Sequence, residues 1–314
     1  MHGNKTHNTP AKVRWLHPHY TANVTTKDDA VGVALTVRVL AGRIGAEISG
    51  LTLRADLSPD IVAAIRKALL QYKVLFFREQ HHMTVGEQEA FAKLFGPLVP
   101  HPTLEKMPGT ETALDLVYTD ATMAANEWHT DDVCVVAPAS IGILRALTIP
   151  PVGGDTLFAN TVSAYTHLPE PLRELANQLW VLHANTFDAE DAVKNRAEAP
   201  PVVYRTEHPL VRVHPETGER TMILGYHAQK FIGLNRQDSM RLIGLFQDHI
   251  TRPENTVRWS WRVGDIALWD NRATQHYGIG DFAERRHLHR VSVAGDVPQS
   301  IDGRRSIARY PRAD

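Results

Sequence analysis

The sequence contains a single cysteine, Cys134, among its 314 residues. One cysteine excludes an internal disulfide and any zinc cluster built on cysteine thiolates, so a bound metal would need nitrogen and oxygen ligands. The chain also lacks any apolar run near the roughly 20 residues that a membrane span needs. Its first residues lack the apolar stretch of a signal peptide. These absences predict a cytoplasmic protein that does not associate with membranes.

Neither sign of charge is in excess. Lysine and arginine number 34 against 35 aspartate and glutamate residues, for a formal net charge of −1. This balance excludes a globally basic nucleic-acid-binding protein and an acidic disordered chain. The hydrophobic fraction of 43% is sufficient for a full core. Histidine is plentiful instead, with 17 copies, and the question is which of them have a chemical role.

The pattern along the chain predicts one mainly β domain. Residues 1–33 are polar and irregular, so we expect a flexible N-terminal arm, followed by a single domain over residues 34–314. Short strands between glycine and proline turns outnumber the helices, which favours a β-sandwich or barrel with helical additions. Segments near residues 102–127 and 185–205 are expected to be loops that cover a site.

A few elements can be placed by their local signals. Ser58 followed by Pro59 is typical of a helix start, and Thr84 with Glu87 forms a capping-box pattern that opens a second helix, ended by Gly96. The other predicted elements are helices at 171–179 and 236–250, the latter capped by Asn235, and strands at 74–77, 257–261, 265–269 and 288–293.

The first chemical candidate is the segment His129-Thr130-Asp131. On a strand, residues i and i+2 point to the same face, so the imidazole and the carboxylate could reach one ion. His276 ends a later strand-like segment. Two histidines and one carboxylate are the ligand set of non-haem Fe(II) oxygenases, although zinc hydrolysis could use the same three residues.

Two arginines distinguish these alternatives. Arg286 and Arg290 are four positions apart on a predicted strand, so both side chains face the same side of the sheet. Two guanidinium groups on an apolar sheet face are costly unless anions pair with them. An iron site with two such arginines suits two acids. One is 2-oxoglutarate, with its keto-acid end on iron and its distal carboxylate on an arginine, and the other is an anionic substrate.

The sequence resembles a known family of oxygenases. From about residue 37 to residue 297 it is similar to the taurine dioxygenase family of Fe(II)- and 2-oxoglutarate-dependent oxygenases. The motifs that carry the resemblance occur in the family's order and spacing: His129-Thr130-Asp131, Gly153-Gly154-Asp155-Thr156, Trp269-Asp270-Asn271-Arg272 to His276, and Arg286 to Arg290. Segments 205–209, 213–220 and 253–256 look most like the alkylsulfatase branch of that family.

The resemblance implies a fold and a set of roles. The fold would be the double-stranded β-helix, or jelly roll, and the cofactors Fe(II), 2-oxoglutarate as cosubstrate, and O2. Of the site residues, His129, Asp131 and His276 would be iron ligands, Thr156 and Arg286 would hold the distal carboxylate of 2-oxoglutarate, and His101 and Arg290 would contact the substrate. Catalysis would need no protein group beyond the iron centre. The family also implies a homo-oligomer, as a dimer or tetramer.

Several positions depart from the taurine enzymes. Leu104 stands where they have tyrosine, and Ala125 where they have asparagine, at positions that handle the polar end of taurine. Asp132 replaces an apolar residue directly after the ligand carboxylate. Taurine is therefore not the expected substrate.

We expect hydroxylation of an alkyl sulfate or sulfonate, with release of an aldehyde and sulfate or sulfite. The alternatives are hydroxylation of a carboxylate-bearing or natural-product substrate without cleavage, a zinc hydrolase, and a non-catalytic binding protein of the same fold.

Overall fold

The computed structural model describes residues 35–119, 125–186 and 202–310, together with the backbone of residues 23–25. The predicted arm over residues 1–33 lies outside this range apart from that short backbone segment. No helix in the described ranges has the length and apolar character to cross a membrane.

Strands dominate the architecture. The helices are α1 Pro59–Tyr72, α2 Val85–Ala92, α3 Thr161–Thr166, α4 Glu170–Gln178 and α5 Arg236–Ile250, with a short 3-10 turn at Pro253–Asn255. The strands are β1 Asn23–Thr25, β2 Thr36–Val39, β3 Ala46–Ser49, β4 Val74–Phe77, β5 Leu114–Tyr118, β6 Ile141–Thr148, β7 Thr156–Asn160, β8 Trp180–Ala184, β9 Arg205–Pro209, β10 Val211–Val213, β11 Arg220–Met222, β12 Ala228–Phe231, β13 Thr256–Trp259, β14 Ile266–Asp270, β15 Thr274–Gly278, β16 Arg286–Val293, β17 Gln299–Ser300 and β18 Ile307–Tyr310. The prediction of a mainly β protein with helical additions is confirmed.

Two sheets form the part of the fold that holds the site. The larger has the strand order β1-β2-β3-β4-β14-β6-β16-β5, and the smaller has the order β13-β7-β15. In β4, Leu75 and Phe77 pack with α1 and α2, whereas Val74 and Phe76 pack toward β7 and β13 of the smaller sheet. All four residues are buried, because the strand has helices on one face and a sheet on the other.

The same alternation sets the direction of side chains on β16. Leu288 belongs to the core between the two sheets, while Val291 and Val293 belong to the core beneath the helices. Arg286 and Arg290 share the parity of Leu288, so they face the space between the sheets. The predicted common face of the two arginines is thus observed.

The predicted starts of α1 and α2 are confirmed, with a small difference at the end of α2. Ser58 caps α1, and both hydrogen bonds of the Thr84–Glu87 capping box are present at α2. α2 ends at Ala92 rather than at Gly96. The N–H groups of residues 94–96 bond three residues back instead of four, so the chain leaves the helix through a tighter turn.

A second unit of structure packs beside these sheets. Its four-stranded sheet has the order β12-β8-β9-β18. Phe231 on β12 and Phe246 on α5 are fully buried in a separate apolar cluster that also includes residues of α3 and α4. Of the segments predicted to cover a site, residues 114–118 form β5, which pairs with β16, and residues 120–124 and 187–201 lie outside the described ranges.

Candidate functional site

His129 and His276 are joined through their backbones. The N–H of His129 donates to the carbonyl of His276 over 3.0 Å, and the N–H of His276 donates back over 2.8 Å. This isolated antiparallel bridge extends β15 onto the segment before Asp131. The two imidazole rings lie with their centroids 4.1 Å apart. The protein backbone alone therefore holds these two side chains together.

Asp131 comes from a turn, whereas the sequence argument placed it on a regular strand with His129. Residues 131–134 form this turn, and Asp132 has a left-handed φ of 60°. Aspartate tolerates that region better than most residues. The expected juxtaposition of His129 and Asp131 is observed, but a turn produces it.

Three donor atoms converge on one point in this arrangement. Asp131 Oδ1 lies 3.8 Å from His129 Nε2 and 3.7 Å from His276 Nε2. Two atoms that each bind one ion at about 2.1 Å are at most ~4.2 Å apart, so both separations suit a shared metal. Asp131 Oδ2 is buried and has no hydrogen-bond partner among the described residues. An ion would satisfy this carboxylate.

The protonation states also suit a metal. His129 Nδ1 lies 2.7 Å from the carbonyl of Glu127, which can only accept, so Nδ1 carries the proton and Nε2 is left with a lone pair. Burial, followed by the neighbouring His129, lowers the pKa of His276 to about 3. Burial opposes ionisation of Asp131, but Arg290 and then His276 outweigh it and hold the pKa of that carboxyl below its ordinary value. Neutral imidazoles and a carboxylate are the forms that bind metal.

A second histidine–aspartate cluster is unsuited to a metal. Asp115, His287 and His289 lie close together at the β5–β16 pairing. Arg145 Nη2 donates to His289 Nδ1 over 3.0 Å, so the neutral ring carries its proton on Nε2, the nitrogen 3.3 Å from Asp115. That nitrogen donates a hydrogen bond and has no lone pair for an ion.

Arg286 and Thr156 meet in the cavity that His129 and His276 also line. Arg286 Nη2 lies 3.2 Å from Thr156 Oγ1, and Arg286 Nε donates to the carbonyl of Gly154 over 2.9 Å. Trp261 Nε1 donates to the same Thr156 oxygen over 2.9 Å. These contacts fix a buried cation and a hydroxyl side by side, as a carboxylate would require.

Arg290 is also buried and lines the same cavity. Its Nη1 donates to Asp131 Oδ1 over 2.7 Å. Nε and Nη2, which form one edge of the guanidinium, have no hydrogen-bond partner among the described residues. A buried two-donor edge of this kind fits the two oxygens of a sulfate, sulfonate or carboxylate.

His101 lies beside this edge, and so does a residue that the sequence argument did not assign. Asp132 Oδ1 is 3.5 Å from His101 Nε2 and 3.6 Å from Arg290 Nη2. The N–H groups of Thr103 and Leu104 donate to His101 Nδ1, so Nε2 carries the proton. Burial, followed by Arg290, lowers the pKa of His101 to about 3. Burial also raises the pKa of Asp132 above its ordinary value.

Asn271, in the turn between β14 and β15, holds the Asp131 turn. Its Oδ1 accepts from the N–H of Asp131 over 3.0 Å, and its Nδ2 donates to the carbonyls of Asp131 over 3.0 Å and Ala139 over 2.8 Å. Sequence reasoning missed this role, although Asn271 lies inside the quoted motif that ends at His276. An amide two residues after the apolar run 266–269 is the available signal, because a buried amide needs several partners.

β9 supports the far side of the same turn. Thr206 Oγ1 donates to the carbonyl of Cys134 over 2.7 Å. His208 Nε2 lies 2.9 Å from the carbonyl of Val133, and its Nδ1 lies 2.6 Å from Ser306 Oγ. The neutral ring therefore donates from Nε2 and accepts at Nδ1.

The buried His208 predicts a loss of stability in acid. Burial lowers its pKa to about 4 in the folded chain, whereas the unfolded value is about 6.5. Its stabilising contribution is complete above pH 6.5 and is lost as the pH falls toward 4, because only the unfolded state takes up the proton there. Urea unfolding at pH 7 and pH 5 should show a smaller pH dependence for His208→Gln than for the unchanged protein, by up to about 1.4 kcal/mol per pH unit. An identical pH dependence would contradict the assignment.

Comparison with known proteins links this site to one family. Residues 36–292 match the model of the family described as taurine catabolism dioxygenase TauD, TfdA family. An alpha-ketoglutarate-dependent sulfate ester dioxygenase of Pseudomonas putida is 47% identical over 282 residues, which cover 87% of this chain and 93% of that protein. An alkylsulfatase of Acinetobacter baylyi is 43% identical over 288 residues, covering 88% and 90%.

Solved structures give the same result for the fold. A taurine dioxygenase from Burkholderia xenovorans superposes with a TM-score of 0.74 at 38% identity, over 87% of this chain and 94% of that one. The enzyme AAD-2, solved with Mn(II) and N-oxalylglycine, superposes with a TM-score of 0.71 at 26% identity, over 85% and 99%. The expected jelly-roll fold is confirmed.

Proposed function

Because this chain belongs to the TauD/TfdA family and is an Fe(II)- and 2-oxoglutarate-dependent dioxygenase, we propose that it hydroxylates an alkyl sulfate or sulfonate at the carbon that bears the anion. The relatives from Pseudomonas putida and Acinetobacter baylyi carry names for sulfate-ester chemistry, which favours the sulfate ester. Family membership sets aside the zinc hydrolase and the non-catalytic binding protein.

One observation carries the proposal. The cavity lined by His129 and His276 is also lined by two buried arginines, Arg286 and Arg290. Asp131 pairs only with Nη1 of Arg290, so a buried anion is still needed at the Nε–Nη2 edge. A substrate without an anionic group would leave Nε and Nη2 of Arg290 without a hydrogen-bond partner, since Asp132 Oδ1 lies 3.6 Å from Nη2. An anionic substrate supplies that partner.

We assign the residues as follows. His129, Asp131 and His276 would hold iron(II), and Thr156 with Arg286 would bind the distal carboxylate of 2-oxoglutarate. Arg290 Nε and Nη2, with the Nε2–H of His101, would bind the anionic head of the substrate. When bound, iron and 2-oxoglutarate supply the oxidant for a C–H bond. The protein's own side chains fix which carbon faces that oxidant.

The overall reaction balances without a protein nucleophile. One oxygen atom of O2 enters succinate as 2-oxoglutarate loses CO2, and the other replaces hydrogen at the carbon next to the ester oxygen as a hydroxyl group. That hydroxyl loses its proton, its oxygen forms the aldehyde carbonyl, and the carbon–oxygen bond to sulfate breaks. Sulfate leaves with the bonding electrons.

A product assay tests this function. Protein supplied with Fe(II) and 2-oxoglutarate should convert hexyl sulfate to hexanal and sulfate, with equal amounts of succinate. Both products should require 2-oxoglutarate and O2. Sulfate release without 2-oxoglutarate would contradict an oxidative mechanism. Succinate formed with carboxylate substrates and not with sulfate esters or sulfonates would favour the alternative, hydroxylation without cleavage.

Asn271 gives a prediction about metal binding. Replacing Asn271 by alanine removes two hydrogen bonds to Asp131 in the turn and a third to the carbonyl of Ala139. We expect a 10- to 100-fold lower iron affinity, of the order seen when the support of a metal ligand is lost. Titration with Co(II), followed by its visible absorption, measures the affinity.

Gln80→Ala provides the matched control for Asn271→Ala. Gln80 is another buried amide, and it holds the backbone of Leu51 and Leu53 instead of the Asp131 turn. Its loss should lower stability and leave the Co(II) affinity unchanged. Equal loss of affinity in both variants would show that Asn271 acts only through general stability.

Two further predictions concern the whole protein. We retain the cytoplasmic location and the homo-oligomer, a dimer or tetramer, as predictions. A buried thiol at Cys134 fits a reducing compartment.

A further inference from the structure

Asp132 is a buried carboxylate in direct proximity to the groups assigned to the substrate anion. Its side chain is only 4% exposed. Its Oδ1 has no hydrogen-bond partner among the described residues. Its nearest donors, Arg290 Nη2 at 3.6 Å and His101 Nε2 at 3.5 Å, lie too far away for a good hydrogen bond. This buried oxygen is therefore available to a donor on a ligand.

Asp132 would compete with a simple anionic substrate for the same hydrogen-bond donors. An oxygen of the substrate head bound to Arg290 Nη2 would lie about 2.8 Å from that nitrogen. Asp132 Oδ1 already lies 3.6 Å from it, and 3.5 Å from His101 Nε2. The incoming anion and this carboxylate would therefore share the same donors. Two carboxylate-like groups in one buried site repel each other.

The backbone leaves the carboxylate little freedom to turn away. Asp132 holds a left-handed φ of 60°, and its carbonyl accepts from the N–H of Val135 over 3.0 Å in the turn. Asn271, Thr206 and His208 hold the neighbouring residues of that turn. Because these contacts support the turn, the Asp132 side chain keeps its direction when substrate enters.

The charges of the loaded site lead to the same conclusion. The positive charges of iron(II), Arg286 and Arg290 exceed the negative charges of 2-oxoglutarate and Asp131 by one. A singly charged sulfate ester matches that excess. Asp132 removes that remaining charge. With Asp132 in place, a substrate of zero net charge is matched best, since an unbalanced buried charge is costly.

We propose that Asp132 is a specificity-determining residue that selects substrates carrying a protonated amine beside the sulfate group. The ammonium donates a charge-assisted hydrogen bond to Asp132 Oδ1, while the sulfate takes the free edge of Arg290 and the Nε2–H of His101. The carboxylate acts at the same time as a repulsive element against simple alkyl sulfates. This inference rests on the proposed function and narrows its substrate class.

Binding without turnover tests the inference. Protein loaded with Mn(II) and N-oxalylglycine, which replace iron and 2-oxoglutarate and do not react, is titrated calorimetrically with butyl sulfate and with 2-aminobutyl sulfate. We expect the amino ester to bind at least about tenfold more tightly. Asp132→Asn keeps the shape and the tolerance of a left-handed φ. In that variant butyl sulfate should gain about tenfold and the amino ester should lose its advantage.

Control arms make each outcome decisive. Asp302→Asn, a neutralised carboxylate in an exposed turn, should leave both affinities unchanged. Equal binding of the two esters, or an Asp132→Asn variant with unchanged affinities, overturns the inference and leaves the sulfate-ester function intact. Titration with pentanoate and 2-aminopentanoate separates the two failures. If the amine increases affinity only in this carboxylate pair, the role of Asp132 is supported and sulfate esters are rejected as substrates. If neither the sulfate pair nor the carboxylate pair binds, both the role of Asp132 and the sulfate-ester function are overturned.

Discussion

A His129→Ala variant is expected to lose iron(II) and all turnover of 2-oxoglutarate. His129 Nε2 is one of three donor atoms that converge within 4.8 Å of one another, and two remaining ligands form a much weaker site. The hydrogen bonds that join the segment to β15 come from the backbone of residue 129 and not from its ring, so the variant should fold. Metal analysis after loading, together with succinate release, measures the effect.

His287→Ala is the matched control for this prediction. It removes a histidine from the second cluster, at Asp115 and His289, whose tautomer is unsuited to a metal. Iron content and turnover should stay near those of the unchanged protein. Loss of iron in His287→Ala with retention in His129→Ala would place the metal at the β5–β16 pairing instead.

Arg290→Ala is expected to weaken substrate binding by at least about thirtyfold. Truncating one partner of a buried, hydrogen-bonded charge pair costs 2–5 kcal/mol in comparable interfaces. Binding of 2-oxoglutarate should persist, because its distal carboxylate is assigned to Arg286 and Thr156. Slow consumption of 2-oxoglutarate without substrate oxidation should therefore remain. Calorimetric titration with substrate and a separate assay of succinate measure the two effects.

Two further variants separate charge from geometry at this position. Arg290→Lys keeps the charge and loses the two-donor edge, so its affinity should fall between those of the unchanged protein and Arg290→Ala. Arg286→Ala should show the reverse pattern, with weakened 2-oxoglutarate binding. If Arg290→Ala weakened 2-oxoglutarate and spared substrate, the roles of the two arginines would be exchanged.

Local patterns were sufficient to predict those parts of the site that depend on strand periodicity. The common face of Arg286 and Arg290 follows from residues four positions apart on one strand. β16 pairs with β5 in continuous register from Arg286 to Arg290, although its pairing with β6 has a register shift at His287. α1 was also predictable, because Ser58 and Pro59 determine its start within a few residues.

The rest of the site depends on contacts between residues that are far apart in the sequence, which local patterns do not contain. Asp131 lies in a turn whose geometry is set by Asn271, 140 positions away. Asp132 adopts a left-handed conformation although it is not glycine, so the sequence carries no signal for that conformation and predicts a regular strand. That conformation places Asp131 and Asp132, consecutive residues, both within reach of Arg290. A strand would have pointed them to opposite faces.

The backbone bridge between His129 and His276 has a consequence for how the protein handles its iron. Closing the long chain segment between His129 and His276 costs conformational entropy. Here the backbone bridge between the two residues closes the segment without an ion. Small zinc domains unfold when a chelator removes their metal, because the metal closes their loops. This protein should instead stay folded in a chelator and regain activity when iron(II) is returned. Iron is then an exchangeable component, replaceable after oxidation without synthesis of a new chain.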